Sequence, residues 1–430
     1  MISLRHHLAI LLTVAVVIAN AACTLIPSTT SAQINTTTAV SLAPITTIDM
    51  SPLYNKAWIP GAQYIVEVNK QNITITNLLN QTSIELAAPN IKNAVFSKSG
   101  TLLAFSSYTD PISIYDLEQT SRTPVHGPYN EITAMHFSEK DDMLIVMDTA
   151  KIVYIWDLTT YDLVSVYDFS SWPDINRQIE TLSLSPDNST IAVISTDDIP
   201  AIKLCSLTEL GSCSTTTWPA SARPFYEAEF SPNWDKVALI SGASAQIINL
   251  VTNTPGPLLT HEDAISNWEF SPDGKIFAVY TVGTINQHYA SILKLWDVTS
   301  GSHIQTFMRS TYNYATALNP TWTQLATSSD TGYIHVWNIE TGVQDSIYTN
   351  NNMGVEYQTL QYSPDGTILA SLDTTGTLAL WDTKTHKQLK TVSLPNSYPA
   401  TLDFSSQGDW ITTTTDDDYI TLWKPVGPTN

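Results

Sequence analysis

Hydrophobic residues fall into two patterns along this chain. The first is a single apolar segment near the start, Leu8 to Ala19 (LAILLTVAVVIA), interrupted only by Thr13. The second fills the rest: short runs in which apolar positions recur every second residue or stand in brief blocks. Thr367-Ile368-Leu369-Ala370-Ser371 and Leu378-Ala379-Leu380-Trp381 are examples, bounded by Ser, Pro, Asp, Asn and Gly. Side chains on a strand point alternately to opposite faces, so such runs predict half-buried or buried strands joined by tight turns. Ser, Thr and Asn stand where Lys and Glu would in a helical protein, which points the same way.

The runs repeat. Phe270-Ser271-Pro272-Asp273-Gly274 recurs as Tyr362-Ser363-Pro364-Asp365-Gly366 and, more loosely, around Ser97, Ser138, Ser185, Ser231, Asn319 and Ser405, with a mean period of 44 residues. Eighteen residues after most of these anchors comes an aromatic followed by a polar residue: Trp156-Asp157, Trp337-Asn338, Trp381-Asp382, Trp423-Lys424 and the variant Tyr115-Asp116. Trp296-Asp297 is the same mark delayed by seven residues, which places an insertion at about Thr281 to Tyr289. A further unit begins at Trp58-Ile59-Pro60-Gly61, making nine. Each unit has the makings of a four-stranded meander. Pro presets φ for the first turn, and Gly takes the left-handed position that closes it. Repetition at this period indicates stacked units, each burying a face against the next.

These motifs resemble the WD-repeat (Trp-Asp repeat) β-propeller family, in an exported bacterial form, over about Thr46 to Lys424. The resemblance implies an all-β fold, a single propeller of four-stranded blades with strands a to d, the Ser-Pro-Asp-Gly turn between a and b, and the Trp-Asp ending c. Nine units are counted, with eight or seven blades as alternatives. The family's Gly-His before strand a is matched only by His261, and its Asp six residues before the Trp only by Asp417. Packing must therefore hold most blades. After Trp423 the tail carries Pro425 and Pro428, which forbid a regular fourth strand. Thr38-Ala39-Val40-Ser41-Leu42 is expected to supply that strand and close the ring. The division that follows is a signal peptide over 1–22, a Ser/Thr/Pro-rich tether over 23–37 and the propeller over 38–430.

Charge and address narrow the role. The 430 residues carry 40 acidic against 19 basic side chains, a net charge of −21, which excludes a nucleic-acid binder because little is present to neutralise phosphates. Arg5 followed by the 12-residue apolar stretch reads as an export signal. Ala19-Asn20-Ala21 fits a cleavage site, Ala21-Ala22-Cys23 resembles a lipoprotein box with Cys23 as the lipidated residue, and Leu8 to Ile26 is long enough for an uncleaved anchor. The chain is thus expected outside the cytoplasm, either secreted or held at a membrane through its N-terminus alone.

No catalytic nucleophile elbow, zinc-protease helix motif, phosphate loop or Cys-x-x-Cys pair is present, so no enzyme activity, metal or cofactor is assigned. Cys205 and Cys213 flank a c–d turn and form either a disulfide or a pair of free thiols. Trp234 and Trp322 stand where the a–b turn Gly belongs, with Trp58 and Trp410 near that turn. They serve either as a stacking surface or as packing between blades. Carboxylates recur between strands b and c: Asp148, Asp197, Asp198, Asp330, Asp373, Asp416, Asp417 and Asp418. In a propeller these turns share one face with the d–a connections that carry Glu262 and Asp263, and would form an acidic ring suited to a basic partner. The opposing reading is that Asp is simply a favoured turn residue. The functional expectation is a non-enzymatic protein-interaction platform. The alternative is a propeller that binds a carbohydrate or small ligand, as a hydrolase included.

Overall fold

The computed structural model describes residues 33–35, 37, 39, 42–49, 56–58, 64–68, 72–77 and most of 82–425. Within 82–425 the longest connecting segments left aside are 171–178, 196–200, 218–226, 310–314 and 350–354. The signal stretch, Cys23 and nearly all of the tether lie outside the described residues.

Each repeat unit forms one four-stranded antiparallel sheet, and nine such sheets stand among the described residues. We number them 1 to 9 along the chain and letter their strands a to d. Sheet 8 is representative, with strands Tyr357–Tyr362, Ile368–Asp373, Thr377–Asp382 and Gln388–Ser393 paired in chain order. Every residue of Ile368–Asp373 is buried, whereas Gln388–Ser393 alternates between exposed and half-buried. Strand b is therefore sandwiched on both faces, and d is the outer edge.

None of the sheets closes on itself, and the core lies between neighbours. Ile145, Val153, Ile155 and Phe169 of sheet 3 pack against Leu182, Ile191, Val193 and Cys205 of sheet 4. At the a strands, sheets 2 and 3, 3 and 4, 4 and 5, 7 and 8, and 8 and 9 lie side by side. This is a propeller-like repeat arrangement, in which stacking covers the faces that a lone four-stranded sheet would expose.

The insertion expected near Thr281 lengthens the b–c hairpin of sheet 6, whose strands Ile276–Ile285 and His288–Asp297 have ten residues each. Gly283 lies on this extension, where an added Cβ would come within 2.1 Å of Asp263 Oδ2. A side chain here would displace the Asp263 carboxylate.

Sheet 9 joins the two ends of the described chain. Its strands Pro399–Phe404, Ile411–Thr415 and Tyr419–Pro425 gain Leu42–Asp49 as the fourth, antiparallel to Tyr419–Pro425 from Leu42↔Pro425 to Asp49↔Tyr419. An N-terminal strand does complete the last sheet, but its position differs from the sequence expectation of Thr38–Leu42. Only Leu42 is common to both. The pairing includes Pro44 opposite Trp423 and runs on through Thr46, Thr47 and Ile48, with a bulge at Ile45 between them. The chain before it is also docked. Ile34 is 1% exposed, its N–H donates to the Gly408 carbonyl at 2.7 Å, and it packs with Ala39, Leu402, Phe404 and Trp423. Part of the stretch expected to be tether therefore lies against sheet 9.

Candidate functional site

The Ser anchors of the a–b turns are buried and organise each turn. Ser363 Oγ accepts the Ile368 N–H at 3.0 Å and donates to Asp365 Oδ1 at 2.6 Å. The same pairings recur at Ser185 with Asp187 and at Ser271 with Asp273. At Ser138 and Ser405 the acceptor shifts to the Asp four residues on. Hydrogen bonds from Ser185 and Ser189 hold the Asp187 carboxyl down at about 2. The fourth turn residue has positive φ throughout, in Gly274 and Gly366 and also in Trp234 (57°) and Trp322 (53°). Successive turns lock together along one rim. Asp141 accepts the N–H groups of Lys98 and Ser99 at 2.7 and 2.8 Å, and Asn188 donates to Asp142 at 2.7 Å.

Three of the four tryptophans expected at this rim make packing contacts, and the Trp58 side chain lies outside the described residues. Trp322 is 9% exposed, against Leu293 and Leu295 of the preceding sheet. Trp234 stacks on Phe230 with centroids 4.6 Å apart, and the Lys424 ammonium lies 4.8 Å over the ring of Trp410. Cys205 and Cys213 face each other across strands c and d of sheet 4 and are joined as a disulfide.

On the opposite rim, two of the expected ring carboxylates are buried inside their own turns. Asp373 is 2% exposed, and its Oδ1 accepts from the N–H and hydroxyl of Thr375 and from the Thr377 N–H. Asp148 is 1% exposed and accepts from the Ile152 N–H and from Asn130 Nδ2, both at 2.9 Å. These two carboxylates cap turns and do not face a partner. Asp416 is exposed; Asp197, Asp198, Asp330, Asp417 and Asp418 lie outside the described residues. The rim nevertheless carries other exposed acids. In sheets 3 and 8 the N–H of the residue after the b strand donates to the carbonyl of the residue before the a strand, Thr149 to Glu131 and Thr374 to Glu356, which puts the exposed Glu131 and Glu356 at the b–c end of their sheets, as Asp416 is in sheet 9.

The c-strand tryptophans form a polar contact that spacing alone did not show. Nε1 of Trp337, Trp381 and Trp423 donates at 2.9 Å to Thr327, Ser371 and Thr413, each ten residues earlier on strand b. In sheet 6 the corresponding position is Val279, since Trp296 pairs with Phe277 as Trp381 pairs with Leu369. Trp296 Nε1 and both ring nitrogens of the adjacent His261 are then buried without a hydrogen-bond partner among the described residues. Burial, with Lys294 and His303 nearby, lowers His261 to about 4. Val279→Thr should supply the missing hydroxyl and raise stability by about 1 kcal/mol, read as an increase in melting temperature. A decrease would mean that the added hydroxyl does not reach the indole.

A second set of residues went unnoticed in the sequence. The position two before six of the eight anchors is polar, holding His136, Ser183, Glu229, Glu269, Gln361 and Asp403, and all six sit at the same register, opposite Ile145, Ala192, Ala238, Ala278, Ala370 and Thr412, whereas Val95 and Ala317 hold it in sheets 2 and 7. Each stands between two apolar residues of its a strand. Burial, then Glu269 and Glu227, pushes Glu229 up to about 7. Burial also raises Glu269, against the hydrogen bond that Tyr280 donates to it at 2.7 Å. Asp403 is raised to about 7 by burial, opposed by a hydrogen bond from Gln361.

No protein-family model matches the chain. Over 303 residues it is 26% identical to WD repeat-containing protein 82 of Drosophila melanogaster, a match covering 67% of this chain and 89% of that protein. Over 210 residues it is 26% identical to telomerase protein component 1 of Rattus norvegicus, covering 48% of this chain and 8% of that much longer relative. This distant homology, together with the repeated four-stranded sheets, supports a place among the WD-repeat proteins.

Proposed function

We propose that the chain is an exported, non-enzymatic protein-interaction scaffold, built as one nine-bladed propeller whose ring is closed by Leu42–Asp49. The observation that carries this reading is the mixed sheet 9, in which the two ends of the repeat array pair with each other. The likeness to WD-repeat proteins supports the scaffold role. Export rests on the Leu8 to Ala19 segment and attachment on Cys23. Mass spectrometry of the mature N-terminus separates a diacylated Cys23 from a secreted chain that starts at Ala22.

The partner-binding face is the rim of b–c turns and d–a connections, and the partner is basic. Its contacts are the exposed Glu262, Glu356 and Asp416, since Asp148 and Asp373 serve the fold. The triple variant Glu262→Gln, Glu356→Gln, Asp416→Asn should melt like the parent. Its capture of cell-envelope proteins should fall several-fold at low salt, with the salt dependence flattened, because exposed charges act through screened attraction. Unchanged capture would remove this face. Binding on a glycan array with no protein captured would favour the carbohydrate reading.

A further inference from the structure

The seam between sheets 5 and 6 is bounded by their a strands, Glu227–Phe230 and Ile265–Phe270. Farther out the same seam is well packed, with Ala238, Ile240 and Leu259 against Phe270, Phe277 and Val279. Near its inner edge, Glu229 and Glu269 occupy the same register position on the two adjoining strands.

We propose that this seam is a proton-operated latch, closed when Glu229 or Glu269 carries a proton and loosened when both are ionised. The titratable groups that face the pair are Glu227 on its own strand and Tyr280 on strand b of sheet 6, which donates to Glu269. From sheet 7, Thr316 contacts the Tyr280 hydroxyl. The a strand of sheet 4 contributes Ser183 at the same level and includes Glu180. No basic side chain acts on Glu229 among the described residues, so ionising both carboxylates leaves uncompensated repulsion inside a partly buried seam.

The direction follows from linkage. Glu229 keeps its proton up to about 7, against an ordinary value of 4.5, so the folded chain binds more protons than the unfolded one between these limits. Stability contributed by the protonated seam is full at the acidic end of that window. It is lost as pH rises through about 7. The latch does not depend on which partner the scaffold binds.

Hydrogen exchange on the full folded chain tests this, at about pH 5.5 and about pH 8, with rates corrected for intrinsic exchange. Amides of Glu227–Phe230 and Ile265–Phe270 should open roughly tenfold more readily at the higher pH, and those of Ile91–Phe96, with Val95 at this level, less than about twofold. Glu229→Gln should cut the pH response at least severalfold, leaving the part that burial of Glu269 alone supplies. Glu269→Gln removes the same repulsion and serves if the first variant folds poorly. An equal response in Ile91–Phe96, or a pH response undiminished in either folded variant, would overturn the proposal.

Discussion

Deleting residues 33–49 should lower the melting temperature by about 10 °C or more. The deletion removes the seven paired positions between Leu42–Asp49 and Tyr419–Pro425, which leaves the last strand of sheet 9 as an open edge. It also removes Ile34, Ala39 and Leu42, all at most 2% exposed, from a cluster that reaches into sheet 8 through Ile368, Leu372 and Leu380. Each fully buried aliphatic side chain contributes roughly 1.5–3 kcal/mol, and the unpaired backbone adds to that loss. Thermal unfolding followed by circular dichroism checks this. A melting temperature unchanged within about 2 °C would show that the segment is only a tether.

Trp381→Ala should destabilise by about 3–5 kcal/mol. The indole is 1% exposed and meets Tyr348 of sheet 7 edge-on, with ring centroids 5.7 Å apart, so its loss empties the space between two sheets. Trp381→Phe keeps most of the filling and gives up the bond to Ser371 Oγ, with an expected cost of about 1 kcal/mol from that bond and a smaller packing loss beside it. Urea denaturation of the two variants separates the contributions. Similar values for both would mean that the hydrogen bond dominates.

The strands, turns and unit boundaries were legible because they rest on local rules that repeat. The alternation around Ile368–Asp373 and the positive φ required after Ser363-Pro364-Asp365 are written into neighbouring residues. The closing strand was legible in kind but displaced along the chain. The ladder carries Pro44 opposite Trp423 and is interrupted just after it by a bulge at Ile45, a local irregularity that alternation alone does not predict. The acidic rim was legible as a list of turn aspartates. Which of them face solvent depends on whether the turn's own N–H groups capture the carboxylate, as happens at Asp148 and Asp373. Glu229, Glu269 and Asp403 were hidden for the opposite reason. A polar residue that alternates with apolar ones reads as an exposed strand position, and only the neighbouring sheet shows that it is partly buried. The alignment of the anchors would have revealed them, since in six of the eight units the residue two before the anchor is polar between apolar neighbours.

The central claim is that nine repeat sheets form one ring closed at Leu42–Asp49, and a crystal structure of the mature chain tests it most directly. The expected result is nine four-stranded sheets around a single channel, with Leu42–Asp49 hydrogen-bonded to Tyr419–Pro425. A ring of seven or eight sheets with a unit left outside, or an open arc whose ends do not meet, would contradict it.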